Sequence, residues 1–71
     1  MKTRTEIPPA AALQPGWYGG KALYELCEMV GVDPWGEYAI YTLSRPWSGH
    51  KARSAVIITN GGLHVIPPDR L

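Results

Sequence analysis

The chain has 71 residues, a hydrophobic fraction of 45% and a formal net charge of +1. This length limits it to one small domain. The composition excludes a disordered polar tail, and the charge excludes a global field that would attract nucleic acid. No apolar run approaches the roughly 20 residues that cross a bilayer, and the polar start of the chain is unlike a secretory leader. We therefore expect a soluble cytoplasmic protein without membrane contact, in the host cytoplasm if the protein is viral.

Residues 1 to 18 form a leader that carries Pro8, Pro9 and Pro15. Proline fixes φ and disfavours helix in the residue before it. The leader is therefore expected to be a flexible arm or a strap across the sheet, with a weakly alternating edge strand over residues 3 to 7. Residues 19 to 71 are predicted to form a single small domain.

One helix is predicted over about residues 20 to 30, because apolar residues repeat there at helical spacing. The repeating residues are Leu23, Leu26, Cys27 and Val30. Gly31 suits a left-handed cap at the end of this helix, and the Asp-Pro pair that follows prevents continuation. Cys27 is the only cysteine, so an internal disulfide is excluded, and its apolar position predicts a core residue rather than a nucleophile.

Three strands are predicted after the helix, over residues 37 to 44, 55 to 59 and 62 to 66. Asn60-Gly61 separates the last two and tolerates the positive φ of a tight hairpin turn. Short connections favour antiparallel pairing. We therefore predict an α+β fold in which one N-terminal helix packs on a three-stranded antiparallel sheet. The sheet is four-stranded, in the order β-α-β-β-β, if the leader adds a strand.

The predicted hairpin is apolar on both faces. Val56, Ile58, Leu63 and Val65 share one face, and Ala55, Ile57, His64 and Ile66 share the other. We expect the helix to cover the first face and to leave Ile57 and Ile66 uncovered. Each such side chain is worth roughly 1.5–3 kcal/mol when buried, against a total stability of about 5–15 kcal/mol. The leader, a second copy of the chain or a different protein is expected to cover them.

The leading functional hypothesis is a non-enzymatic module that binds a protein stoichiometrically, as an adaptor or inhibitor of the kind that phages and mobile elements encode. A homodimer is compatible with this hypothesis. No catalytic residue and no cofactor is predicted, and the two histidines with one cysteine lack the spacing of a metal site. The predicted partner-binding residues are Arg45, Trp47, His50, Lys51, Arg53, Ile57, His64 and Ile66.

The alternative hypothesis is a small RNA- or DNA-binding protein. Arg45, Lys51 and Arg53 form a basic cluster in which Trp47 is available to stack on a base. His50 is the best candidate for a general acid or base in this cluster. A nuclease would therefore be centred on His50.

The order of elements, with Ser48-Gly49-His50 before the second strand and Val65-Ile66-Pro67-Pro68 closing the third, resembles the HicA-type mRNA interferase toxins over residues 21 to 68. The resemblance implies a double-stranded-RNA-binding-like fold and ribonuclease activity. His50 is the one residue that it would make catalytic, because the family uses a strand histidine in a Gly-Ser-His context. Here the Gly and Ser are reversed, and no helix is predicted after the third strand.

Overall fold

The computed structural model describes residues 7 to 71. The strands are β1 (Leu13–Pro15), β2 (Ala39–Leu43), β3 (Ala55–Thr59) and β4 (Gly62–Ile66), and helix α1 (Gly20–Val30) lies between β1 and β2. They form one antiparallel sheet in the order β1-β2-β3-β4. The predicted α+β fold in the order β-α-β-β-β is confirmed, with the optional fourth strand present.

Helix α1 has the predicted bounds and the predicted cap. Gly31 adopts a left-handed conformation with φ of +74°, and its N–H donates to the Glu28 carbonyl at 3.3 Å. The N–H of Val32 donates to the Cys27 carbonyl at 2.8 Å, which completes the paired bonds of a Schellman cap. Cys27 is fully buried, as expected. No helix within residues 7 to 71 is long and apolar enough to cross a membrane.

The β3–β4 hairpin has the predicted register, from Thr59 opposite Gly62 to Ala55 opposite Ile66. The positive φ lies at Gly62 (+142°) rather than in the two turn residues that precede it. The Thr59 hydroxyl accepts a hydrogen bond from the Gly61 N–H at 3.1 Å and donates one to the Gly62 carbonyl at 3.3 Å. The side chain of Thr59 therefore takes part in shaping this turn.

The expected placement of the helix is wrong, because α1 covers the opposite face of the hairpin. Leu26 packs with the buried Ala55, Ile57 and Ile66. Strand alternation does not distinguish two faces that are both apolar. The leader distinguishes them, because Ala12 packs with Leu43 and Val56 on the other face. We name the face beneath α1 the helix face.

Part of the leader belongs to the sheet. Strand β1 pairs with β2, with Leu13 opposite Leu43. Ser44 fixes the segment before β1, because its N–H donates to the Ala12 carbonyl at 2.8 Å and its hydroxyl donates to the Ala11 carbonyl at 3.1 Å. The leader therefore supplies an edge strand and covers one end of the second face. The edge strand expected at residues 3 to 7 lies almost wholly outside the described residues.

A β-bulge closes the connection from β2 to β3. The N–H of Arg53 donates to the Leu43 carbonyl at 2.7 Å, and the N–H of Leu43 donates to the Ser54 carbonyl at 2.9 Å. Arg53 and Ser54 thus oppose the single residue Leu43. Arg53 has a φ of +72°, in a bulge position that glycine usually fills. The left-handed conformation costs a residue with a Cβ roughly 1–2 kcal/mol.

We predict that Ile57→Ala lowers the free energy of unfolding by about 2–5 kcal/mol, the usual range for truncating a fully buried isoleucine. Ile58→Ala is the matched control on the second face, where Ile58 is only partly buried, and its loss should be clearly smaller. Urea unfolding of both variants measures the difference. A larger loss for Ile58→Ala would place α1 on the other face.

We predict that Arg53→Gly stabilises the fold. Removing the Cβ relieves roughly 1–2 kcal/mol of strain, and the greater freedom of glycine in the unfolded chain offsets about 0.4–1 kcal/mol of it. The expected net gain of about 0.5–1 kcal/mol raises Tm by about 2–8 °C in a domain of this size. Arg53→Ala removes the charge but keeps the strain, so it should give no such increase in calorimetry.

Candidate protein-interaction surface

The connection between β2 and β3 contains a miniature hairpin. Trp47 and His50 exchange two backbone hydrogen bonds, at 3.0 and 2.8 Å, around Ser48 and Gly49. The φ angles of +51° at Ser48 and +85° at Gly49 are those of a type I′ turn. The rings of Trp47 and His50 stack, with centroids 6.0 Å apart and planes 24° apart. The two side chains therefore form one surface unit.

The second face of the sheet is only partly covered. Trp47 packs onto this face at the end of the sheet from which the connection leaves. Besides Trp47 and Leu13 of the leader, four side chains around its buried centre remain partly exposed; they are Tyr41, Ile58, Leu63 and Val65. We name these four residues the open face. Strands β2, β3 and β4 thus contribute to an apolar surface that neither α1 nor the described part of the leader covers fully.

Three exposed cations lie in the same connection as Trp47. Arg45 precedes the miniature hairpin, Lys51 follows it, and Arg53 occupies the bulge. A side-chain hydrogen bond joins the bulge to the residues before it, because the buried Ser54 hydroxyl donates to the Lys51 carbonyl at 2.6 Å. The connection therefore presents an aromatic residue and positive charge together beside the open face.

The predicted partner-binding residues divide between the two faces. Ile57 is 0% exposed and Ile66 is 3% exposed, both beneath α1, so the expectation that they form a free surface is wrong. His64 lies on the same face but is half-buried, in a shallow depression of about 520 Å³ that Asp33 and Glu37 also line. The predicted residues of the connection lie apart from these, next to the open face.

The sequence did not predict a pair of exposed aromatic residues on the helix side of the molecule. Trp35 is 76% exposed and Tyr24 is 49% exposed. Their rings meet edge to face, with centroids 5.1 Å apart, a favourable geometry for aromatic pairs. Tyr24 lies on α1, so this pair is part of the helix side of the molecule. It is a second candidate contact surface, separate from the open face.

A tight turn holds Trp35 in its exposed position. The Asp33 carbonyl accepts from the Gly36 N–H at 2.9 Å, and the Asp33 carboxylate accepts from the Trp35 N–H at 3.0 Å. The Tyr38 hydroxyl donates to the Pro34 carbonyl at 3.2 Å. The sequence Asp-Pro-Trp-Gly has the residues that favour a type I turn. That pattern was the available signal for a fixed and exposed tryptophan.

The positions of Cys27, the histidines and the acidic residues bear on two kinds of chemical site, a metal site and a nucleophile–base pair. Within residues 7 to 71, no group of three or more His, Cys, Asp and Glu side chains is placed to hold a metal ion. His50 lies in the exposed miniature hairpin, whereas Cys27 is buried in the core. A nucleophile–base pair needs the two side chains within hydrogen-bond reach. Cys27 and His50 lie in different parts of the fold, and no such contact joins them.

No protein-family model, no curated protein and no solved structure matches this chain. The resemblance to HicA-type toxins thus gains no support from these comparisons. In the described chain, a short 3-10 turn (Pro68–Arg70) follows β4 in place of an α-helix. His50 lies in an isolated bridge outside the four strands.

We predict that Tyr38→Phe lowers the free energy of unfolding by about 1 kcal/mol at neutral pH, because it removes the hydrogen bond to the turn that carries Trp35. Burial, followed by the neighbouring Cys27 and Asp33, raises the pKa of Tyr38 above its ordinary value of 10.0. The folded state thus favours the protonated phenol. The stability that this provides is present below the unfolded pKa and is lost as the pH rises through the folded pKa.

Urea unfolding at a series of pH values from neutral to strongly alkaline measures this effect. The wild-type protein should lose stability above the ordinary phenol pKa. Tyr38→Phe should lose less over the same range, so that the two curves converge. Parallel curves for the two proteins would contradict the role assigned to the Tyr38 hydroxyl.

Proposed function

We propose that this protein is a small non-enzymatic module that binds an acidic surface of a partner protein stoichiometrically, as an adaptor or inhibitor in the cytoplasm. The observation that carries this proposal is the open face, an apolar and partly exposed sheet surface with Trp47 and three cations at one end. Exposed apolar surface beside polar residues is typical of an interaction site. An origin in a phage or another mobile element is part of the same proposal.

The composition of the surface suits a protein partner. Trp, Tyr and Arg are the residues that most often dominate binding energy. Trp47 and Tyr41 pack on this face, and the exposed Arg53 lies in the bulge of the connection that carries Trp47. A standard interface buries about 800 Å² on each partner. That area is about a sixth of the chain's 5032 Å² of accessible surface, so one face of the sheet is large enough to provide it.

The conformation of Arg53 also supports a binding role. Glycine would relieve the strained φ of +72° in the bulge. Departures from such local preferences tend to occur at functional sites, where a side chain contributes something other than stability. An exposed guanidinium suits that role, because it forms bidentate hydrogen bonds with carboxylates. This is why we assign the partner an acidic surface.

Nucleic acid is the rival partner, because the same cations beside Trp47 suit a phosphate backbone with a stacked base. Each phosphate that a cation neutralises adds about one unit to the dependence of log affinity on log salt concentration. Three cations therefore predict a slope of at most about three. A titration of labelled single-stranded RNA and DNA at two salt concentrations measures this slope.

We predict that Arg53→Gly binds the partner more weakly although it folds more stably. Immobilised wild-type protein and variants are exposed to lysate of the natural host, and mass spectrometry quantifies the captured proteins. Loss of a hot-spot arginine costs about 2 kcal/mol or more, which corresponds to about a 30-fold loss of affinity. Lys21→Ala is the matched control, because it removes an exposed cation from α1 on the other side.

Equal capture by the wild type and Arg53→Gly would argue against the proposed surface. Salt-dependent binding of RNA that Arg53→Gly abolishes would favour the rival function. Cleavage of that RNA, with loss of activity in His50→Ala, would identify a nuclease. An effect of Lys21→Ala as large as that of Arg53→Gly would indicate attraction by net charge alone.

A further inference from the structure

We infer that strand β4 pairs with the β4 strand of a second copy of this chain, which joins the two sheets into one continuous antiparallel sheet of eight strands. The inference concerns the edge of the sheet rather than the open face, and it does not depend on the proposed function. It rests on the difference between the two sheet edges, on the direction of the free backbone groups and on the space beside β4.

The two edges of the sheet differ in how well they are protected. Strand β1 has three residues and ends at Pro15, whose missing N–H prevents regular pairing. Strand β4 has five residues and contains no proline, lysine or acidic residue. Proteins usually protect exposed edges with such residues or with very short strands. Within the described residues, β4 has β3 as its only partner strand and is the edge that remains open to pairing.

The bulge determines which backbone groups of β4 point outward. Leu43 forms both of its bonds with the bulge, so bonded and non-bonded pairs alternate from that point along β2 and β3. Tyr41 and Val56 are then a bonded pair, which directs the Val56 backbone groups toward β2. The neighbouring β3 residues bond to β4 instead, through Gly62, His64 and Ile66.

The intervening residues Leu63 and Val65 therefore present their N–H and carbonyl groups at the outer edge. Two copies related by a two-fold axis satisfy all of these groups in one register. Leu63 of each copy pairs with Val65 of the other, which gives four hydrogen bonds. His64 then faces His64 of the second copy across the axis. An isologous contact of this kind closes as a dimer and does not propagate.

The surroundings of β4 leave space for such a partner. One shallow cavity of about 420 Å³ borders Val65 together with His50, Lys51 and Pro67. Another of about 100 Å³ borders Val65 from the side of α1, where Met29 is 47% exposed. Both sides of this end of β4 are therefore accessible. The dimer would also place the Leu63 and Val65 side chains of the two copies side by side, which doubles the open face.

A second copy is the occupant that the geometry of β4 favours, because this one strand supplies both halves of the match without any other chain. Two further occupants are outcomes of the test. One is an extended segment of a different protein, which would add to the edge by β-augmentation. The other is the beginning of the same chain, before the described residues.

Hydrogen exchange on the wild-type protein tests the direction of the backbone groups and their pairing together. In a dimer, the amides of Leu63 and Val65 exchange as slowly as that of His64, and dilution to the monomer accelerates Leu63 and Val65 alone. Light scattering on the same samples should give twice the chain mass of 7.8 kDa at high concentration. Fast exchange of both amides at every concentration would overturn the inference and leave the edge free for an extended segment of a different protein.

A cysteine variant tests the register. Cα atoms in non-bonded antiparallel pairs lie about 4.5 Å apart, within the range that a disulfide bridges. His64→Cys should therefore form a disulfide-linked dimer in oxidised glutathione. Asn60→Cys, exposed in the turn, should form far less, and Cys27 of the wild type is buried. Circular dichroism of the reduced variants shows that each is folded.

Three results would contradict the β4 pairing. A monomer with slowly exchanging Leu63 and Val65 would place another segment of the same chain on the edge. A dimer whose Leu63 and Val65 amides exchange fast would place the contact elsewhere, for example on the open face. Equal cross-linking of His64→Cys and Asn60→Cys would indicate random collisions rather than a defined register.

Discussion

The packing of α1 on the helix face is the interaction on which the rest of the structure depends. A helix of 11 residues is about 16 Å long at 1.5 Å per residue, enough for one face of a small sheet and not for two. Ile57 lies fully buried at the centre of that contact. With the only α-helix of the described chain on one side, every other covering of the sheet comes from short segments: the end of the leader, the β2–β3 connection and the turn around Trp35.

Leu43 joins several of these segments. It is fully buried, faces Leu13 of β1 and makes both hydrogen bonds of the bulge at Arg53 and Ser54. The same residue thus positions the leader over one end of the second face and orients the connection that carries Trp47. The leader and the connection do not fully cover the second face near β4, and the open face is the part that remains uncovered. The position of the apolar surface and that of the cations therefore have one structural origin.

Local features were predictable from the sequence, and the choice between faces was not. The ends of α1 and the register of the β3–β4 hairpin depend on residues close in sequence, such as Gly31 and the turn after Thr59. The side of the sheet that α1 covers depends on the leader, which is distant in sequence from the β3–β4 hairpin. Ile57 and Val56 are equally apolar, so no pattern within the hairpin distinguishes them. Assigning Ile57 and Ile66 to a free surface followed from that ambiguity.

The miniature hairpin around Ser48 and Gly49 was not predicted from the sequence for a different reason. Its turn uses Ser48 at a position with positive φ, where asparagine or aspartate is the recognised signal. The exposed pair of Tyr24 and Trp35 joins a helix to a loop, and only the loop has a readable turn pattern. Contacts between elements of different type leave no recognisable pattern in the sequence, whereas single turns and caps are marked by particular residues.

The rate at which a thiol reagent modifies Cys27 can report how often helix α1 separates from the core. The N-cap residue of α1, Gly19, provides no side-chain hydrogen bond, whereas the other end of the helix is closed by the paired bonds at Gly31 and Val32. The helix should therefore loosen from its first turn. Because Cys27 is fully buried near the capped end of α1, a disulfide reagent can react with it only when the opening extends through most of the helix, so its modification rate reports how often the core opens.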